Sequence, residues 1–243
     1  MKNNTIIQAN IENLTSLWKL VSLKCGSYTS TSNYNLAEIN NSEWPNRLWF
    51  DNAIDEKAVS TIKETLIQKS VSITIPVWNL NFSNSDKYLE NQGFKIKFSQ
   101  IGMSLKPQET FEIDNELKLI RVTTLEEAKL WSKLFSKSFG YTISFKTLET
   151  TLHEIEYYIV IFKNTPVGTA ILYKTASILG VHSVGIIPEM RKKGYAEQVM
   201  KFIINMAVES TIEYITLQAS DMGKHLYLKL GFKEQFIIKN YVL

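Results

Sequence analysis

Between Ser183 and Met200 the hydrophobic period of the chain changes across one short basic turn, and the stretch reads as strand, tight turn, helix. Val184 and Ile187 lie in an apolar run that reads as a buried strand, and Pro188 ends it. Val199, Phe202, Ile203 and Met206 then recur at helical spacing. The turn between them is Arg191-Lys192-Lys193-Gly194-Tyr195-Ala196. A helix that opens after such a turn presents unpaired backbone N–H groups and the positive end of its dipole, which together receive a phosphate. Gly194 permits close approach of backbone to anion, and Ala196 leaves it unobstructed. The plainer alternative is a strand-to-helix turn whose basic side chains are only solvated.

Further on, Leu217-Gln218-Ala219-Ser220-Asp221-Met222-Gly223-Lys224-His225-Leu226-Tyr227-Leu228-Lys229-Leu230-Gly231-Phe232 follows a strand expected over 212–217. Together the two segments resemble the GNAT superfamily of N-acyltransferases. Arg191, Gly194 and Ala196 match its acyl-CoA signature, Arg/Gln-x-x-Gly-x-Gly/Ala, and Leu226-Tyr227 with Gly231-Phe232 match its second CoA-contacting segment. The resemblance covers about residues 117–243 and implies acetyl-CoA as co-substrate, with Arg191, Lys192, Lys193, Gly194, Tyr195 and Ala196 at the pyrophosphate. It also implies a splayed strand in which Val184, Gly185 and Ile186 pair with the pantetheine arm, and a polar Ser220 beside that arm or the phosphates. Ser220 equally suits a cap for the helix that follows. Asp221 departs from the asparagine frequent at its position.

A chain of 243 residues exceeds one such domain, so two are expected: 1–107, and a catalytic domain over 108–243. Lys106 to Thr110, polar and interrupted by Pro107, is the linker. The fold class is α/β (α+β), two GNAT-like domains, each a mixed, mostly antiparallel twisted sheet flanked by helices. In the first half an amphipathic helix through Leu14, Leu17, Trp18 and Val21 precedes a loop over 27–33. A strand near Trp49, a helix over 55–69, a strand over 71–78, a short helix over 86–91 and a strand ending near Leu105 follow. In the second half come a strand over 117–122, a helix capped by Thr124 and Glu127, and a helix over 144–154. A hairpin about Lys163 to Pro166 and a strand over 178–187 complete the sheet. Tyr88 to Lys95 echoes Leu226 to Lys233, and the first half reads as a degenerate copy. Where its phosphate turn should be, residues 51–57 are acidic and lack glycine, so this half is expected not to bind CoA.

The formal net charge is only +3 and no long basic run occurs, which gives no support to nucleic-acid or membrane partners. Cys25 is the single cysteine, so no intrachain disulfide forms, and the polar N-terminus reads as cytoplasmic rather than secreted. The three histidines lack metal-site spacing, and no metal is expected. Catalysis in the resembling family is direct attack of an amine on the thioester, with Tyr227 as the acid that protonates the departing thiolate. A tyrosine there can also simply pack. His182, on the strand face of Val184, is a candidate general base with a suitable ordinary pKa, or a structural histidine. The expected acceptor is a primary amine of a small molecule or peptide. A non-catalytic acyl-CoA-binding module would need the phosphate turn but no proton donor. Trp44, Trp49, Phe50 and Trp78 suit a core or a homodimer interface.

Overall fold

The computed structural model describes residues 3–78, 80 and 84–243. In chain order the elements are α1 (Asn3–Cys25), β1 (Ser27–Ser30), β2 (Asn35–Glu38), β3 (Arg47–Trp49), α2 (Glu56–Ile67), β4 (Ile75–Trp78), α3 (Ser85–Asn91) and β5 (Lys95–Leu105). There follow β6 (Leu117–Arg121), α4 (Leu125–Phe139), α5 (Phe145–Thr151), β7 (Glu156–Phe162), β8 (Thr165–Thr175), β9 (Ile178–Ile186), α6 (Tyr195–Val208), β10 (Tyr214–Ala219), α7 (Lys224–Lys229) and β11 (Lys233–Val242).

The main sheet has eight strands in the order β4-β11-β5-β10-β9-β8-β7-β6, and a smaller sheet is β1-β2-β3. Every pairing in the main sheet is antiparallel except β9 with β10, which makes it mixed and mostly antiparallel. The halves are not built on separate sheets. β5, the last strand before the expected boundary at Pro107, lies between β10 and β11, and β4 pairs with the outer side of β11. The chain just past the linker is held to α6, since Phe111 N donates to Asn205 Oδ1 (2.7 Å) and Asn205 Nδ2 donates back to Phe111 O (2.8 Å).

Strand alternation sorts side chains to two faces. Tyr157, Ile159 and Ile171 pack with Leu17, Trp18, Trp131 and Phe135 of α1 and α4, while Tyr158, Val160, Ala170 and Leu172 pack with Val199, Met200, Ile203 and Ile204 of α6. A third cluster joins Val59 and Ile62 of α2 to Leu48, Ile75, Leu89 and Tyr241. Thr124 and Glu127 form the expected capping box on α4. The segment expected as a loop over 27–33 differs: its first four residues pair with β2 as an exposed edge strand, their backbone groups satisfied although their side chains bury little. The aromatics offered as a dimer face are also placed otherwise, because Trp44, Trp49 and Phe50 are buried within this chain. Asp55 caps α2 by accepting from Ala58 N (2.8 Å), so the helix whose N-terminus would have to receive a phosphate in the first half already holds its own carboxylate.

Candidate active site

The site begins where β9 and β10 part. They pair only over Tyr214 with Ile178, Ile215 with Leu179 and Thr216 with Gly180, after which β10 continues along β5 and β9 along β8. A bulge sharpens the parting. Between the Ile171–His182 and Thr169–Gly185 pairs β9 carries an extra residue, and Ser183 takes φ 54°. Val184, Gly185 and Ile186 therefore lie on a strand with one edge open toward β10. Gly185 is required for packing: a Cβ there would stand 2.7 Å from Phe139 Cζ and 3.0 Å from Ser138 Cβ at the end of α4.

Past Ile186 the chain makes a 3-10 turn over Pro188–Met190 and enters α6 through Gly194, which has φ 83°. Lys192 is also left-handed, at φ 60°. No side chain caps α6, and a Cβ on Gly194 would meet nothing within 4 Å. The result is an open concavity of backbone N–H groups at a positive helix end, the environment that holds a pyrophosphate. Lys192 and Lys193 are exposed beside it, Ala196 is half-buried, and Tyr195 packs its ring on Phe162 (4.7 Å between centroids). Arg191 is placed differently from a phosphate-binding side chain. Its Nε donates to Ile186 O (3.0 Å) and its Nη2 to Ser138 O (2.7 Å), so the guanidinium ties the end of β9 to the carbonyl end of α4.

A cavity of about 1080 Å³ runs from this parting into the first half. One wall includes Val184, Ser220 and Tyr227, and the other includes Trp18, Trp44 and Arg47. Ser220 lines the cavity, and its Oγ accepts from Gly223 N (3.2 Å) in the turn ahead of α7, but it is not the expected cap, since Gly223 is the N-cap residue of that helix and no side chain caps it. Tyr227 stacks edge-on against Phe232 (5.7 Å), and its hydroxyl has no protein partner among the described residues. Desolvation pushes its pKa up to about 12, which keeps the phenol protonated at neutral pH.

His182 is not available as a general base. Its Nδ1 faces Gln218 Oε1 (3.2 Å) and its Nε2 faces Asn13 Oδ1 (3.2 Å), and burial pushes its pKa down to about 4. Both amides are oriented by other bonds. Asn13 Nδ2 donates to Tyr173 O (2.9 Å) and Thr175 Oγ1 (2.9 Å), while Gln218 Nε2 donates to Asn10 Oδ1 (2.7 Å) and Asn10 Nδ2 to Met103 O (3.1 Å). The ring thus locks α1 onto β9 and β10: kept neutral, it donates its one N–H to one of these amide oxygens while its other nitrogen faces the second, so neither nitrogen is set out toward an amine. Sequence reasoning did not find this network, nor the Arg47 wall, because Asn10, Asn13 and Arg47 lie far from the motifs in sequence. A polar pair at i and i+3 on the apolar side of α1 was the available signal.

An α/β architecture with a splayed parallel pair opening onto an uncapped helix end is the GNAT fold. Residues 153–234 match the family model described as acetyltransferase (GNAT) domain, so this part of the chain carries that domain. Among solved structures the chain is similar to a GCN5-related N-acetyltransferase from Kribbella flavida, with TM-score 0.72, 13% identity, and coverage of 96% of this chain and 95% of that one. A GCN5-related N-acetyltransferase from Sphaerobacter thermophilus aligns with TM-score 0.63 and 14% identity, covering 86% and 76% of the two chains. A tandem GNAT protein from the clavulanic acid biosynthesis pathway aligns with TM-score 0.56 and 9% identity, over 86% and 78%. A search of curated proteins finds no match.

Proposed function

We propose that this protein is an acyl-CoA-dependent N-acyltransferase that transfers acetyl from acetyl-CoA to a primary amine by direct attack in a ternary complex. The observation that carries the reading is a single cavity lined both by the open edge of β9 at Val184 and by the unpartnered hydroxyl of Tyr227. Acetyl-CoA supplies the activated acyl group. The residues present fit it: Gly194 and the uncapped start of α6 would hold the pyrophosphate, and the open edge at Val184 to Ile186 the pantetheine arm. Arg191 would act by fixing the strand end rather than by touching phosphate. Tyr227 would hold the proton that the departing sulfur takes up, and its burial keeps that proton in place until then. The N-acetyltransferases that share this fold support the reading at the level of class.

Calorimetric titration with acetyl-CoA is the test, on the native chain and on Gly194→Glu, which sets a carboxylate against the pyrophosphate. Binding near one-to-one, lost in the variant, is expected. No binding to the native chain would sink the proposal. Thiol release with a panel of amines then separates an enzyme from a binding module. Tyr227→Phe is expected to lower turnover by about 10²- to 10⁴-fold while leaving acetyl-CoA affinity intact. Unchanged turnover would remove Tyr227 from the chemistry.

A further inference from the structure

The first half contributes to the cavity a charge that the acyl-donor side does not explain. Arg47 begins β3, and its guanidinium lies over the Trp18 ring, 5.7 Å from the centroid. Nη1 donates to the carbonyls of Pro45 (2.7 Å) and Asn46 (3.1 Å). Nε is buried with no partner, and among the described residues no carboxylate pairs with this guanidinium and no protein group accepts from Nη2. Nε is too enclosed for a ligand atom to reach, so Nη2 is the unspent donor that can meet a carboxylate, through a charge-assisted bond. Burial presses the pKa of Arg47 down, but a guanidinium does not give up its proton in a protein. A buried fixed charge without a counter-charge is unfavourable, and a ligand that supplies the anion relieves it.

The other charged groups lining the cavity leave that anion wanting. Lys97 adds a second cation, and Glu43 is the one carboxylate among the described lining residues. Glu43 Oε2 is engaged by Thr142 N (2.7 Å) and makes no ion pair with Arg47 among the described residues. Trp18 and Trp44 give the wall apolar flanks that exclude water from a pair formed there.

We infer that the acceptor is an amine that also bears a carboxylate, an amino acid or a close analogue, held with its carboxylate on Nη2 of Arg47. This rests on the N-acyltransferase reading of the same cavity. It makes the first half the specificity wall of the site.

The test uses matched triplets, each an amino acid, its carboxamide and its decarboxylated amine, assayed by thiol release from acetyl-CoA and by quenching of tryptophan fluorescence. Each runs on the native chain and on Arg47→Gln. The native chain should prefer the amino acid by about 10- to 150-fold in kcat/KM, and Arg47→Gln should erase most of that preference while sparing the amine. Equal use of all three members by the native chain overturns the inference and leaves the enzyme reading standing. Equal loss for all three in Arg47→Gln also overturns it, because Arg47 would then only pin the Pro45–Asn46 loop. Quenching by amino acids that needs Arg47, with no thiol release from any amine, upholds the carboxylate anchor and sinks the enzyme reading. Neither quenching nor release with any carboxylated member overturns the anchor whatever the variant does.

Discussion

Gly180→Ala should expose how tightly α1 is fastened to the parting of β9 and β10. Gly180 is buried in β9, opposite Thr216 in the last parallel pair before the strands diverge. A Cβ there would overlap Asn13 Oδ1 and lie 2.6 Å from His182 Nε2. Asn13 cannot turn away cheaply, since it is fully buried and its Nδ2 is spent on Tyr173 O and Thr175 Oγ1. Overpacking costs about 1–3 kcal/mol. Breaking the Asn13–His182 contact strands a buried polar group and adds about 1–3 kcal/mol. The expected loss is therefore about 2–6 kcal/mol. Asn13→Ala alone should cost about 1–3 kcal/mol through its lost bonds. In the double variant the new methyl occupies the space that Asn13 gave up, so the two losses should fall short of their sum by about 1–3 kcal/mol. Urea unfolding at equal m-values, followed by tryptophan fluorescence and far-UV circular dichroism, measures all four corners. Additivity within about 0.5 kcal/mol would mean that Gly180 and Asn13 are not in the contact described.

Three further outcomes are expected. His182 has a folded pKa of about 4, below its ordinary 6.5, so the unfolded chain binds more protons between those values. The contribution of His182 to stability is then complete above pH 6.5 and lost as pH falls to about 4, by about 3 kcal/mol in all, and His182→Gln should flatten that limb; an unchanged limb refutes it. Arg191→Met should cost about 1–2 kcal/mol of thermal stability through its two carbonyl bonds, and should weaken acetyl-CoA binding only indirectly. A selective loss of affinity with no loss of stability would return the guanidinium to the phosphates. The fragment 108–243 lacks β5, which pairs with both β10 and β11, and should show no cooperative unfolding transition. A sharp transition at native-like stability would show that the second half folds alone.

The parts legible in the sequence were those specified by local pattern. The change of period at Pro188, the glycine turn that opens α6 and the Thr124–Glu127 capping box each depend on residues within one or two turns of one another, and each stands where expected. What the sequence did not disclose depends on partners distant in the chain. Ser27 to Ser30 has the composition of a loop, yet β2 supplies ladder bonds that composition cannot express. His182 has the alternation of a residue facing the cavity, and it does line the cavity, but Asn13 and Gln218 occupy both of its nitrogens.

The sharing of the sheet makes the cleft a joint product of both halves. In each half a strand–helix–strand run is followed by a short helix, Gly-Phe and a closing strand, but the closing strand of the first half, β5, is inserted between the last two strands of the second. β10 therefore continues past the parting along a strand from the first half, with Leu217, Gln218 and Ala219 paired to Met103, Gly102 and Ile101. Gln100 Nε2 adds a bond to Gln218 O (3.3 Å), and Asn240 Nδ2 donates to Gln100 Oε1 (3.2 Å). The face that holds His182 in place is thus assembled from α1, β5, β9, β10 and β11 at once. A change in the first half that shifts β5 moves Gln218 and with it the floor of the cavity, without touching any residue of the phosphate turn. Variants in the two halves that act on the cleft should accordingly couple, whereas variants at Gly194 should not couple with those at Asn10 or Gln100.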